Sequence, residues 1–142
     1  MAPTIETRLL ILVCAVLETG TGLALLVVPR FVVRLLLGAQ LLGAGVATSR
    51  LCGVALVSFG LACWPEWEAA PGRVDRRAVR ALLVYNASAT VYLASLMALD
   101  GYRGLLLVPA IVIHAVLAGL LARTVMGRRR GLSIETAKPE RV

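Results

Sequence analysis

From Leu9 to Val28 the chain runs for twenty residues with one formal charge, Glu18. A helix of that length rises about 30 Å, the thickness of a bilayer's hydrocarbon layer. The rest of the chain does not supply the polar surface that a soluble fold would need. Of 142 residues, 59% are hydrophobic and 16% are charged, and the mean hydropathy is +0.86, whereas soluble domains carry about 25% charged residues. A soluble globular enzyme is excluded. Disorder is excluded too, because disordered chains are poor in apolar residues. The first run follows Arg8 as a signal peptide would, but it continues to Val28, holds Glu18 and lacks an Ala-x-Ala site. It is read as a retained helix.

Three more runs follow. Ala81–Leu99 and Leu105–Ala122 have no formal charge, and Asp100-Gly101-Tyr102-Arg103-Gly104 between them predicts a tight turn and an antiparallel hairpin. The remaining run, Leu51–Trp64, is too short to cross. It must extend back to about Gly45, which places Arg50 inside a helix. The expected fold is all-α: a polytopic membrane protein built as a four-transmembrane-helix antiparallel bundle. Residues 1–130 form its single domain, with spans at about 9–28, 45–64, 81–99 and 105–122. Arg30 and Arg34 share one face of an otherwise apolar stretch after Pro29, which predicts a short interfacial helix with snorkelling guanidiniums. Residues 131–142 are expected to be a polar, disordered cytoplasmic tail.

Charge placement gives orientation. With the N-terminus inside, Arg8, Arg73, Arg76, Arg77, Arg80, Arg123, Arg128, Arg129, Arg130, Lys138 and Arg141 lie inside, while Arg30, Arg34, Arg50 and Arg103 lie outside. The positive-inside rule then predicts both termini in the cytoplasm, and the expected location of the bundle is a bacterial inner membrane. The net charge of +7 is assigned to lipid headgroups, and nucleic acid is not an expected partner.

Helices in lipid associate through small residues and interhelical hydrogen bonds. Rows at spacing four mark the inward faces: Cys14, Glu18 and Gly22; Asn86, Thr90, Ala94 and Ala98; Ala110, His114, Ala118 and Ala122. Of these, Gly22, Thr90, Ala94, Ala110 and Ala118 are expected packing residues. Glu18 and His114 each fall about 14 Å into their spans, Tyr92 about 18 Å and Arg50 about 21 Å from the inner end. Glu18, Arg50, Asn86, Tyr92 and His114 therefore form the candidate intramembrane polar site. An ionised carboxylate at the bilayer centre costs about 2.5–3.5 kcal/mol, so Glu18 is expected to contact Arg50 or His114. The competing expectations are plainer: a neutral Glu18 serving as interhelical glue, His114 as a hydrogen-bonded packing residue, and Arg50 snorkelling to the interface. Tyr85, Tyr102, Trp64 and Trp67 are read as interfacial belt residues.

Much chemistry has no signature here. The single His and the absence of HExxH argue against catalytic zinc. No Walker loop, GxGxxG after a strand, or GxSxG is present. Cys14, Cys52 and Cys63 lie in apolar stretches without a CxxC and are read as small hydrophobes. Gly20-Thr21-Gly22 and Gly43-Ala44-Gly45 are read as packing elements.

The pattern Glu18-x3-Gly22, Pro29, Leu36-Leu37-Gly38, Arg50-x2-Gly53, Gly60-x2-Cys63-Trp64, Tyr85-Asn86 and His114 resembles small uncharacterised bacterial four-helix membrane proteins and, more loosely, the DoxX-like proteins. The resemblance covers about residues 9–123. It implies a four-helix bundle. DoxX-like members are associated with membrane redox systems and quinone-linked sulfur oxidation, but no redox cysteine pair is recognisable in this sequence.

The expected role is non-enzymatic: a lipid- or small-molecule-binding bundle, or an accessory subunit of a membrane complex. Membrane lipids are the expected partners, with a homo-oligomer or larger assembly also possible by size. No cofactor or metal is expected, a quinone being the one candidate. The alternatives are a quinone- or redox-linked component using Glu18, Tyr92 and His114, and a small proton-coupled transporter acting as an oligomer.

Overall fold

A computed structural model of the chain describes residues 5–65 and 76–136. These residues form α1 (Ile5–Val27), α2 (Pro29–Leu37), α3 (Ala44–Ala62), α4 (Arg76–Ala98) and α5 (Leu107–Thr136). Four of them, α1, α3, α4 and the Leu107–Met126 part of α5, are long and apolar enough to cross a membrane. Large apolar side chains such as Leu9, Leu51, Val91 and Val112 point outward. That surface suits lipid, which is as apolar as the side chains themselves.

The boundaries follow local chemistry. Pro29 has no N–H to continue α1 and instead opens α2, leaving Val28 as the only residue between them. Gly38, at φ 73°, closes α2 in the left-handed region, and its N–H donates to Arg34 C=O. Arg30, Phe31 and Arg34 are exposed on α2, and Val32, Val33 and Leu35 are half-buried. Gly43 and Gly20 have nothing near their missing side chains, and Gly43, at φ 47°, is a turn residue before α3 rather than part of a packed helix. Two ends depart from expectation. α4 starts five residues earlier than expected, at Arg76, its first turns burying Ala78 and Val79 in the core while Arg76, Arg77 and Arg80 stay exposed. α5 continues through Thr136, so residues 131–136 of the expected tail are helical. Trp67, Arg73, Lys138 and Arg141 lie outside the described residues.

The bundle is two helix pairs, α1 with α3 and α4 with α5. Glycines let the first pair approach closely. A side chain at Gly22 would meet Gly53 O at 2.7 Å and Val57 N at 2.8 Å, and one at Gly60 would meet Ala15 O at 2.8 Å and Thr19 N at 3.0 Å. As α1 ascends from Ala15 to Gly22, its partners on α3 recede from Gly60 to Gly53, so the pair is antiparallel. The two pairs meet at three levels. At the end where α1 and α4 begin, Ile11, Cys14, Cys63, Ala78, Val79, Leu82, Leu117 and Leu121 form the apolar core. Midway lies a polar layer. At the opposite end the last turn of α2 docks on the α4–α5 turn, where Arg103 and Leu106 N–H donate to Leu37 and Leu35 C=O at 3.3 and 2.9 Å. These carbonyls end a helix and have no intrahelical donor.

Candidate functional site

The polar layer draws on α1, α4 and α5, with Phe59 of α3 packed against it. Glu18, on α1, is only 2% exposed, and a side-chain hydrogen bond joins it to Tyr85 on α4. The Tyr85 ring lies between Phe59 of α3 and His114 of α5, with centroids 5.2 and 5.8 Å away. The His114 contact is edge-on, at an interplanar angle of 72°, an arrangement that aligns a positive ring edge with a negative face. His114 Nδ1 lies 2.9 Å from Asn86 Oδ1. Asn86 is fully buried, and its Nδ2 donates to Leu82 C=O at 2.8 Å.

This set of bonds assigns proton positions. The Asn86 amide spends Nδ2 on Leu82, so Oδ1 faces the ring and must accept. His114 therefore donates from Nδ1, and in the neutral ring Nε2 is the acceptor nitrogen. Thr90 Oγ1 donates to Asn86 C=O at 2.8 Å, tying the next turn of the same face to the network. Tyr85 supplies the O–H that the Glu18 carboxylate, an acceptor when ionised, requires in an apolar interior.

The five residues expected to converge do so in part. Glu18, Asn86 and His114 lie in the layer. Arg50 is exposed and does not partner Glu18. The α1–α3 register explains its position. Glu18 lies level with the region of Phe59, and Arg50 is nine residues further along α3, roughly 14 Å away along the axis. The expected convergence assumed that the inner ends of the two helices are level. In fact α3 ends opposite the middle of α1, which carries Arg50 to the end of α1 near Val27.

Tyr92 is 63% exposed and takes no part in the network. It lies two turns beyond Tyr85 on the same face of α4. The buried positions of α4 are Ala78, Val79, Leu82 and Asn86, all in its first half. Past Asn86 the helix is at most half-buried, as at Ala89, Thr90, Leu93 and Ala94, and Tyr92 is outward. Among the packing residues, Gly22 is buried on α1, and Thr90, Ala94, Ala110 and Ala118 are half-buried.

Tyr85 and Phe59 join the network although the sequence did not single them out for it. Tyr85 was assigned to the interface because the span was expected to start at Ala81. With α4 starting at Arg76, Tyr85 is about 14 Å into the helix. Its position directly before Asn86 was the available signal. Cys14 and Cys63, unrelated in sequence, are both buried in the apolar core just below. No group of three or more His, Cys, Asp or Glu residues suited to a metal occurs among the described residues.

No family model, curated protein or solved structure matches the chain. Its site is read from its own geometry.

Proposed function

We propose that this multi-pass membrane protein binds an amphiphilic small molecule of the lipid or quinone class, whose polar headgroup meets the Glu18, Tyr85, Asn86 and His114 layer. The observation that carries this proposal is the meeting of hydrogen-bonded polar side chains from α1, α4 and α5 at the seam between two helix pairs, with Phe59 of α3 packed on Tyr85. Polar residues inside a membrane are costly, and they mark ligand, ion or proton pathways more often than lipid-facing positions do. The network offers acceptors in Glu18 and His114 Nε2, while the Tyr85 O–H is already spent on Glu18. Acceptors suit a headgroup that donates, a lipid hydroxyl or a quinol, on an apolar tail. Binding, not turnover, is the role assigned to these four residues.

The same proposal places both termini in the cytoplasm of a bacterial cell, with α2 at the outer face of the inner membrane. Its support is the excess of basic residues on the side of the termini. A C-terminal reporter active only in the periplasm is expected to stay silent.

The binding reading is tested by extracting the purified protein from native membranes and identifying what accompanies it by mass spectrometry. A single amphiphile enriched over bulk lipid in wild type, and depleted in Glu18→Gln and Tyr85→Phe, is expected. An extract identical to bulk lipid in all three would remove this reading.

A further inference from the structure

We propose that the end of the bundle carrying α2 holds the phosphate of an anionic phospholipid at Arg30, Arg34 and Arg103. The backbone brings these arginines together from two distant parts of the chain. Gly38 N–H donates to Arg34 C=O at 2.9 Å, and the absent Cβ of Gly38 lies 3.3 Å from the Arg103 carbonyl carbon and oxygen. Arg34 and Arg103 thus flank the same glycine, and the Arg103 and Leu106 amides hold the last turn of α2 there. Arg30 is one turn before Arg34 and is exposed like it. Arg50, which the α1–α3 register sets level with the end of α1, adds a fourth exposed arginine at this end. Asp100 is the only acid on the described segments here.

The donors at this end call for an anion. The side chains of Arg30, Arg34 and Arg50 have no hydrogen-bond or ion-pair partner among the described residues. Arg103 spends Nη1 on the Met97 and Tyr102 carbonyls, which leaves Nε and Nη2 to donate. That remaining edge of a guanidinium matches two oxygens of one phosphate. The apolar neighbours call for a phosphate that carries acyl chains. Phe31, between Arg30 and Arg34, is 60% exposed, and Leu105, two residues after Arg103, is 78% exposed. A free phosphate leaves both bare, whereas a phospholipid covers them with its chains. Topology does not explain this charge, because the positive-inside rule draws on the basic residues at the other end, with the termini. The headgroup also differs from the one proposed for the Glu18 layer, whose free acceptors offer a phosphate no donor.

Delipidated protein in neutral-detergent micelles is titrated with phosphatidylglycerol or with phosphatidylcholine of the same chains, and bound lipids are counted by native mass spectrometry. Wild type is expected to bind phosphatidylglycerol more tightly. An arginine near an anionic headgroup is worth about fivefold in affinity, so Arg30→Gln and Arg34→Gln together should weaken the tightest phosphatidylglycerol by about thirtyfold. Phosphatidylcholine binding should not change. Arg76→Gln with Arg80→Gln removes the same charge at the other end and should stay within about twofold of wild type, since that charge lies beyond the screening length. Gly104→Ala keeps all four arginines but forces α2 away from the turn, and it should weaken phosphatidylglycerol as well. Undiminished binding in the Arg30/Arg34 variant or in Gly104→Ala would overturn the proposal, as would an equal loss in the Arg76/Arg80 control. The chainless headgroup glycerophosphoglycerol, at equal concentration, should not displace the lipid, and displacement would overturn the assignment to a phospholipid. Glu18→Gln should leave phosphatidylglycerol affinity unchanged, so failure of the binding reading above is separate from failure of this one.

Discussion

Asn86 Oδ1 and His114 Nδ1 are 2.9 Å apart, and they close the seam between α4 and α5 with a hydrogen bond whose direction is fixed. Replacing His114 with Leu leaves the Asn86 carbonyl oxygen buried without that donor, at a cost of about 1–3 kcal/mol. Replacing Asn86 with Leu strands the ring N–H in the same way. The double variant removes both polar partners and is expected to be more stable than either single variant. Unfolding in mixed micelles measures all three. Nitrogen NMR of the ring is expected to show the proton on Nδ1, and a ring protonated only on Nε2 would contradict the assigned bond.

The Glu18–Tyr85 bond makes a graded prediction. Interhelical hydrogen bonds in membranes contribute about 0.6 kcal/mol on average and up to about 1.7. Tyr85→Phe keeps the ring against Phe59 and His114 and loses only the hydroxyl, so its cost should fall in that range. Glu18→Gln retains an acceptor and should cost less than Glu18→Leu. Tyr92→Phe, on the exposed continuation of the same face, should change stability by less than about 0.5 kcal/mol. Equal losses at Tyr85 and Tyr92 would contradict the placement of the network.

The α1–α3 contact depends on two backbones being close enough to exclude a methyl group. Gly60→Ala would press a carbon onto Thr19 Oγ1 and Ala15 C=O. The Thr19 hydroxyl oxygen, buried with no hydrogen-bond partner among the described residues, sits at that contact. The expected loss is about 1–3 kcal/mol, the cost of overpacking a closed interface. Gly20→Ala and Gly119→Ala meet nothing within 4 Å. Better helix propensity should make both neutral or slightly stabilising. Thermal unfolding of the three variants in one detergent separates the cases.

The sequence carried the number of spans, the short helix after Pro29 and three of the polar residues, because each of these is a local property. A run of apolar residues measures its own length, and a charge within it identifies itself. What it could not carry was register. The depth of Arg50 relative to Glu18 depends on where Gly22, Gly53 and Gly60 let α3 settle against α1, and spacing within a single helix does not reveal that. The same register hid that Cys14 and Cys63, 49 positions apart in the chain, share one core cluster. Tyr92 failed for a related reason. Tyr92 shares a face of α4 with Tyr85, but burial on α4 drops to partial past Asn86, and burial is set by the neighbouring helices.

Gly104 joins α2 to the α4–α5 turn, and its substitution should separate the two without unfolding the bundle. A side chain there would overlap the backbone of Leu36, and Gly38 faces the same turn, with Arg103 O and Gly104 N both 3.3 Å from its absent Cβ. Gly104→Ala must therefore push the last turn of α2 outward and break the Arg103–Leu37 and Leu106–Leu35 bonds. The Arg103 guanidinium, which donates to Met97 C=O at 2.6 Å, would still hold the end of α4. Hydrogen exchange should accelerate at the Arg103 and Leu106 amides, which lose their acceptors, and stay slow at Leu82 and Leu121 in the core. Uniformly fast exchange across α4 and α5 would show instead that α2 docking supports the whole bundle.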